Sequence, residues 1–326
     1  MKKILVIGSA AVDIVIPVER FPERGGEVSP KTENLSVLGP AFELCSCLCR
    51  FGLPVIPYLP VGSGVYGDYI RGEMNRHGFR SAIPQVREMN GCRYLFVEPD
   101  GKSTCVNIRG AEYSFYPEWF ESLEQRAWEI DSVYLTGQEL AEPTGELILG
   151  FLELHPKMKV YFQPAGQILK ISASRMERLF LRNPVIALSR EEVLAYTGEE
   201  TPEAAGLLMA SWSGGTVLTD LGKENGLLTE VSEENGEISQ VSVPCCPAEG
   251  NTEPGKVEES CFASYIALRK TGKTAREASC LAARMEAAIS PESPEILQSG
   301  LGQKCMGTEE ELKKEGAPKE AHIEAE

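Results

Sequence analysis

Short apolar runs without internal alternation recur along the chain, and segments with helical periodicity separate them. The predicted strands are 4–8, 54–61, 132–136, 159–162, 185–188 and 216–219. The predicted helices are 42–51, 66–77, 117–128, 144–154, 174–181, 191–197 and 202–212. Unbroken apolar runs of this length are typical of strands that are covered on both faces. Strand and helix in turn predict right-handed crossovers, and hence a doubly wound, mostly parallel α/β sheet with helices on both faces.

Two regions interrupt this alternation and predict a small second sheet. Residues 11–38 contain β-type stretches around the sequence FPERGGEV, and residues 92–108 form a hairpin pattern with the turn sequence PDG at its centre. Strand-rich appendages of this kind often cover a ligand site as a lid. The predicted division is an α/β core of residues 1–10, 39–90 and 111–290 and a β lid of residues 11–38 and 91–110.

Charge and cysteine content disfavour several classes of function. The 326-residue chain carries 48 acidic and 32 basic side chains, and its net charge of −16 disfavours binding to nucleic acid or to an anionic membrane surface. There is no C-x-x-C pair and there are only three histidines, so no zinc site is expected, and the ten cysteines are expected to pack as small apolar groups. We expect a cytoplasmic protein without a membrane span, whose tail at 291–326 is disordered and acidic.

Seven local motifs then occur in an order typical of one enzyme family. They are Asp13 with RFPERGGEV after it, VGSGVYGDYIRGEMNRHGF, a hairpin ending in NIRGAE, the strand VYLTG, SREEVLAYTG, TDLGKENGLL, and a helix starting near CFA. Over residues 2–289 the chain resembles the ribokinase-like, phosphofructokinase-B-type carbohydrate and nucleoside kinases. The resemblance implies transfer of the ATP γ-phosphoryl group to a sugar or nucleoside hydroxyl with Mg²⁺, and a homodimer formed through the lid.

The segment that should hold the catalytic motif departs from the family pattern D-T-x-G-A-G-D-x-F. In that pattern the second aspartate acts as base, and amides at a helix N-terminus bind the phosphate. Here residues 250–262 read GNTEPGKVEESCF. Alignment backwards from the phenylalanine puts Ser260 at the base position. Alignment forwards from the N-T pair makes Glu258 or Glu259 the nearest carboxylate.

Two readings of these glutamates stay open. As a base, either one would stand beside Gly255 and Lys256, and the lysine would supply charge that the lost glycine amides no longer give. Alternatively, Glu258 and Glu259 are ordinary acidic residues of a first helical turn, where they favour the helix dipole but repel a phosphate.

The residues assigned to the sugar are also altered. The family's G-G-x-x-x-N appears at 38–43 as LGPAFE, so Gly39 survives and Glu43 replaces the asparagine. A carboxylate still accepts hydrogen bonds from hydroxyls, and the resemblance assigns Asp13 to the same substrate. The alternatives are a solvated first-turn residue for Glu43 and a turn residue between strands for Asp13.

The nucleotide side keeps more of the pattern. The resemblance places Thr219, Gly222 and Gly226 next to adenosine or phosphate, and a plain β-turn is the alternative. Glu192 stands where the family has an acid that organises metal-bound water. Ser189 and Glu192 also match the S-x-x-E capping box, which explains both residues without any chemistry.

Two functional hypotheses follow. The first is a divergent kinase that uses Glu258 or Glu259 as base. The second is a catalytically silent relative that binds a sugar-like ligand or a protein partner. Loss of a general base costs a factor of about 10² to 10⁴, so catalysis is expected to be weak or absent.

Overall fold

Twelve strands and ten α-helices are described in a computed structural model that covers residues 1–221, 226–232, 234–243 and 254–285, without the side chains of 254–259 and 284–285. The strands are β1 (Lys3–Ile7), β2 (Ala11–Pro17), β3 (Asn34–Leu38), β4 (Val55–Tyr58), β5 (Cys92–Val97), β6 (Ser103–Ile108), β7 (Ile130–Thr136), β8 (Lys159–Gln163), β9 (Val185–Leu188), β10 (Val217–Thr219), β11 (Gly226–Val231) and β12 (Ile238–Val243). The helices are α1 (Pro40–Arg50), α2 (Gly64–Arg76), α3 (Pro117–Glu124), α4 (Gly137–Ala141), α5 (Thr144–Leu154), α6 (Ala173–Phe180), α7 (Arg190–Thr197), α8 (Pro202–Ser213), α9 (Pro254–Lys270) and α10 (Ala275–Met285).

The main sheet has eight strands in the order β12-β11-β10-β9-β8-β7-β1-β4. Six neighbouring strands of this sheet run parallel to one another, namely β4, β1, β7, β8, β9 and β10. This confirms the predicted doubly wound sheet. An antiparallel pair, β11 and β12, extends the sheet at one edge and was not predicted. Its outer strand β12 is mostly half-buried or exposed, whereas β9 and β10 are fully buried, because the inner strands are covered on both faces.

Successive residues of β1 belong alternately to two separate hydrophobic clusters. Ile4 and Val6 pack in a cluster that includes residues of α1 and α9, while Leu5 and Ile7 pack in one that includes residues of α3 and α5. Side chains of a strand point alternately to opposite faces, so these two clusters lie on opposite faces of the main sheet. The sheet is therefore covered by helices on both faces, as the sequence predicts.

A second sheet of four strands, in the order β3-β2-β5-β6, forms the structure that we call the lid. Strands β2 and β5 run parallel, and β3 and β6 flank them antiparallel. Val12 and Ile14 of β2 pack into the same cluster as residues of α1 and α2. The hydroxyls of Tyr66 in α2 and Tyr94 in β5 lie 2.9 Å apart, so side-chain contacts join the lid to the core.

The base of the lid is tied to the loop after β4 by one buried asparagine. The Asn90 Oδ1 accepts from the Gly62 N–H at 2.6 Å, and its Nδ2 donates to the Ala10 carbonyl at 3.2 Å. Ala10 immediately precedes β2. The Asn90 amide also donates to the buried Glu112 at 3.3 Å, so its side chain joins three segments.

Helix α9 begins earlier than the sequence analysis predicts. The expected start lies near Cys261, but the helical backbone already begins at Pro254, which makes Cys261 an interior residue. Proline suits the first helical turn because its fixed φ matches the helix and its missing N–H has no partner there. In the described ranges, no helix has both the length and the apolar character that crossing a membrane requires.

Candidate active site

The carboxyl ends of the parallel strands meet at one edge of the main sheet, and several predicted site residues follow these ends. Thr219 ends β10, and Glu192 lies in the first turn of the helix after β9. Gly39 lies against Ser9 in the connection after β1, and Asp13 lies in β2, the strand to which that connection leads. In open α/β sheets, ligands bind outside the carboxyl ends of the strands. The fold therefore places Gly39, Glu192 and Thr219 at the same edge of the main sheet, with Asp13 on the adjoining lid strand.

Asp13 is a buried residue of the lid and forms an ion pair. Its Oδ1 accepts from Arg93 Nε at 2.7 Å, and its Oδ2 accepts from Arg93 Nη2 at 2.6 Å. The Asp13 side chain is 9% exposed and that of Arg93 29%. Asp13 is thus a strand residue and not a turn residue, and sequence reasoning missed its partner.

Gly39 marks a close approach between two backbone segments. It precedes α1 with a φ of +148°, and a Cβ there would lie 2.3 Å from the Ser9 carbonyl oxygen. Any other residue would have to push the two segments apart. Glu43 lies in the first turn of α1, where a carboxylate is favoured by the helix dipole, and it is half-buried.

A buried glutamate that the sequence analysis does not single out lies in α4, directly after β7. The Glu139 carboxyl accepts a hydrogen bond from Thr136 Oγ1 and is only 3% exposed. Burial raises the pKa of Glu139, and hydrogen bonds from Thr136 and Ser9 oppose this shift only in part. A protonated carboxyl here could donate as well as accept a hydrogen bond.

A narrow crevice of about 20 Å³ opens at the ends of β8, β9 and β10. Its lining residues are Gln163, Ala165, Ala187, Leu188, Glu192, Leu218, Asp220, Leu221 and Phe262. The volume suffices for about one water molecule. Asp220, which the sequence analysis missed, is buried at a φ of +50° and accepts from the Arg190 N–H at 3.0 Å.

The three predicted nucleotide residues have different surroundings in the structure. Among the described residues the buried Thr219 hydroxyl has no hydrogen-bond partner, and it lies 3.9 Å from where a Cβ of Gly206 in α8 would be. Its hydroxyl therefore points towards α8. At Gly226 a Cβ would lie 2.9 Å from the Asp220 carbonyl oxygen, so this position favours glycine. Gly222 lies outside the described residues.

Glu192 takes part in the capping box that its spacing predicts. Ser189 Oγ accepts from the Glu192 N–H at 3.2 Å, and the Glu192 carboxylate accepts from the Ser189 N–H at 3.0 Å. The same carboxylate accepts from the Gly166 N–H at 2.6 Å. Throughout the described ranges, no group of three or more His, Cys, Asp or Glu side chains could hold a metal ion, so the metal role of Glu192 stays a prediction.

The predicted catalytic segment is described only in part. The side chains of Lys256, Glu258 and Glu259 lie outside the description, although the backbone of these residues and of Gly255 belongs to α9. Ser260 is half-buried, and its carbonyl accepts from Ser264 Oγ at 2.9 Å. Because α9 begins at 254, the backbone of 258–260 lies inside the helix and not at its N-terminus.

Comparison with protein families gives one match over most of the chain. The family "pfkB family carbohydrate kinase" matches residues 1–247. The match therefore includes the lid, Gly39, Glu192 and Thr219, and it ends before the segment 250–262.

Among curated relatives, an uncharacterized sugar kinase YegV of Escherichia coli is 28% identical over 191 residues, which are 59% of this chain and 59% of that protein. An ATP-dependent ribose-1-phosphate kinase of Halopiger xanaduensis is 30% identical over 145 residues, 42% of this chain and 47% of that protein. The chain thus spans between about half and three fifths of the length of these two relatives.

Solved structures with the same fold extend over a larger part of the chain. A ribokinase of Thermotoga maritima superposes with a TM-score of 0.72 at 19% identity, covering 88% of this chain and 92% of that one. The Arabidopsis thaliana ribokinase complexed with ribose and ATP gives a TM-score of 0.70 at 19% identity, covering 88% of this chain and 91% of that one. At such low identity these likenesses establish the fold.

Proposed function

The chain belongs to the pfkB family of carbohydrate kinases, and we propose that it transfers a phosphoryl group from ATP to a hydroxyl of a sugar or nucleoside, at a low rate. The observation that carries this proposal is the position of Asp13. Asp13 is a buried carboxylate in the lid strand β2. The strand β3, which pairs antiparallel with β2, ends directly before Gly39. A carboxylate and a close glycine approach at the carboxyl edge of the sheet suit a polyol ligand.

The proposal assigns a separate role to each of several residues. Asp13 accepts hydrogen bonds from substrate hydroxyls, and Gly39 lets the backbone come close to the sugar. Glu192, which lines one crevice with Asp220 and Gln163, is the residue proposed to organise Mg²⁺ and its water. ATP would supply the phosphoryl group.

The low rate follows from the segment 250–262, which lacks the paired glycines and the aspartate of the family pattern. Glu258 or Glu259 is the proposed base, and Lys256 and Gly255 are proposed to contact the phosphates. Without the glycine amides the transferred phosphoryl group is stabilised less, which lowers the rate by a factor of about 10² to 10³.

A specific observation favours a second candidate, a catalytically silent protein that binds a sugar-like ligand or a protein partner. The crevice among the described residues holds about one water molecule, and the family match ends before the catalytic segment. If this crevice belongs to the nucleotide site, its small volume would disfavour ATP and leave ligand binding as the function of the silent protein.

Calorimetric titration with Mg-ATP distinguishes the two candidates. The kinase proposal expects binding with a Kd in the micromolar range, and ADP release that depends on an added sugar or nucleoside. The double variant E258Q/E259Q should lower ADP release at least about tenfold and leave Mg-ATP binding unchanged. No binding at millimolar Mg-ATP would contradict the kinase proposal and favour the silent one.

We also propose a homodimer that forms through the lid. Leu35, Val106 and Ile108 are large apolar residues of the lid with exposed fractions of 40%, 49% and 52%. The strand register puts Leu35 and Val106 in one row of the lid, and Ile108 lies in the next row on the same face. Sedimentation should detect a dimer at micromolar concentration, and a monomer there would contradict this proposal.

A further inference from the structure

A cavity of about 370 Å³ lies between helix α2 and the segment 80–85. This segment runs beside the edge strand β4, since the Ala82 N–H donates to the Pro57 carbonyl at 2.7 Å. None of the described residues that line the cavity is among those assigned above to substrate, nucleotide or metal. The cavity is therefore separate from the candidate active site.

The wall of the cavity combines an apolar part with a few polar groups. Val61, Met74 and Ile83 are buried apolar side chains of this wall, and Ser81 and Gln85 add polar atoms. Small-molecule sites in proteins typically have volumes of about 300–1,000 Å³ and mostly apolar walls with a small number of polar groups. The size and the wall thus suit a small organic molecule.

The charge of the wall is positive. Arg71 and Arg80 line the cavity, and no carboxylate among the described residues lines it with them. Asp68 compensates part of this charge from outside the lining, because Arg71 Nη2 donates to its Oδ1 at 2.6 Å, but the Asp68 side chain is 76% exposed. In a chain with a net charge of −16, two arginines at one cavity favour an anionic ligand there.

Both guanidinium groups are held in place by contacts with the scaffold. Arg71 and Asn75 lie one turn apart on the same side of α2. Arg71 Nη1 donates to the Gly62 carbonyl at 2.6 Å, and Arg80 Nε donates to Asn75 Oδ1 at 2.9 Å. Within the described ranges the two amino groups of Arg80 have no hydrogen-bond partner, so they remain available to a ligand.

We propose that this cavity is a second ligand site, and that it binds a small organic oxyanion, either a carboxylate or a phosphate ester. The amino groups of Arg80 donate to the oxyanion, Arg71 adds positive charge, and the carbon skeleton of the ligand lies against Val61, Met74 and Ile83. Arginine suits such ligands because its planar fork matches the geometry of carboxylate and phosphate oxygens. The site goes beyond the proposed kinase function and does not depend on it.

The test compares small ligands with the same ring and different charge. Benzoate, phenyl phosphate and the neutral benzamide are titrated calorimetrically into the full chain, without nucleotide. We expect at least one of the two anions to bind with a Kd in the low millimolar range or below, and at least about tenfold more tightly than benzamide. One hydrogen bond to a charged group supplies a difference of this size. The carboxylate and phosphate arms identify which oxyanion is preferred.

Two variants of exposed lining residues connect this binding to the cavity. R80Q removes the charge of Arg80, and Q85E adds a carboxylate to the wall, so each should weaken binding of the preferred anion at least about tenfold. R24Q is the matched control, because Arg24 is an exposed arginine outside the lining and its loss changes the net charge as much as R80Q does. Circular dichroism establishes that each variant folds.

Unchanged affinity in both R80Q and Q85E would place the anion elsewhere on the chain and overturn the inference. An equal loss in R24Q and R80Q would mean that net charge alone attracts the anion, which overturns it too. Equal binding of benzamide and the anions, or absence of binding by all three ligands, has the same consequence. None of these results bears on the kinase proposal, because its residues do not line the cavity.

Discussion

The Glu192 carboxylate joins two loops, because Oε1 accepts from the Gly166 N–H at 2.6 Å and Oε2 accepts from the Ser189 N–H at 3.0 Å. Gly166 follows β8 and Ser189 follows β9, so one side chain fixes the carboxyl ends of two adjacent strands. This geometry accounts for the acid at position 192 whether or not a metal binds there.

We expect E192A to lower the free energy of unfolding by about 1–2 kcal/mol, because two backbone N–H groups lose a charged acceptor. Urea unfolding measures this change. E203A is the matched control, since Glu203 lies exposed in the first turn of α8 and should change stability by less than about 0.5 kcal/mol. Equal stability of the two variants would contradict the structural role of Glu192.

Replacing Asn90 should destabilise the attachment of the lid. N90A leaves the Gly62 N–H without its acceptor and the Ala10 carbonyl without its donor, at a buried site. An unsatisfied buried polar group costs about 1–3 kcal/mol, so we expect a loss of that size in urea unfolding. N75A removes an exposed asparagine that bonds Arg80, and it should cost less than about 0.5 kcal/mol. A loss in N90A no greater than that in N75A would refute this prediction.

Substitution of Gly39 tests the close approach of α1 to the connection after β1. G39A places a Cβ 2.3 Å from the Ser9 carbonyl oxygen at a φ of +148°, so we expect a loss of about 3 kcal/mol or more. G52A also has a positive φ, +69°, but its Cβ meets no atom within 4 Å. It should lose only about 1 kcal/mol. Thermal unfolding compares the two variants, and similar losses would exclude a steric role for Gly39.

The pH dependence of stability should contain a contribution from Glu139. Its pKa in the folded chain is raised by burial, so the folded state binds a proton more tightly than the unfolded state does. The stability it contributes is fully present below the ordinary glutamate pKa and is lost as pH rises through the raised pKa. E139Q removes this loss, so its stability should fall less than that of the wild type over this range.

Unfolding temperatures recorded from pH 4 upwards measure the effect of E139Q. E118Q is the control, because Glu118 is an exposed acid in the first turn of α3. The wild type and E118Q should run parallel, and E139Q should have the shallower slope. Three parallel curves would mean that Glu139 titrates as an ordinary surface carboxylate.

Much of the fold was predictable because its signals are local. Unbroken apolar runs identify the parallel strands, and the hairpin around the turn PDG matches β5 and β6. The antiparallel pair β11 and β12 was missed, since the TDLGKENGLL motif was interpreted as a nucleotide-binding turn and the alternation in β12 is weak. The start of α9 was placed near Cys261 by the family resemblance, although Pro254 gives the better local signal.

The site was less predictable because its contacts are distant in sequence. Asp13 and Arg93 are 80 residues apart, and no local pattern sets the register of two parallel strands. Glu139 has the sequence context of a surface acid, and only the packing around it shows that it is buried. The capping role of Glu192 was predictable because its geometry depends on residues within one turn.

The lid and the main sheet share no strand ladder among the described residues. Substitutions of lid side chains therefore break no ladder hydrogen bond of the main sheet. The ion pair of Asp13 and Arg93 lies within the lid, so replacing it would leave the strand pairing of the main sheet intact.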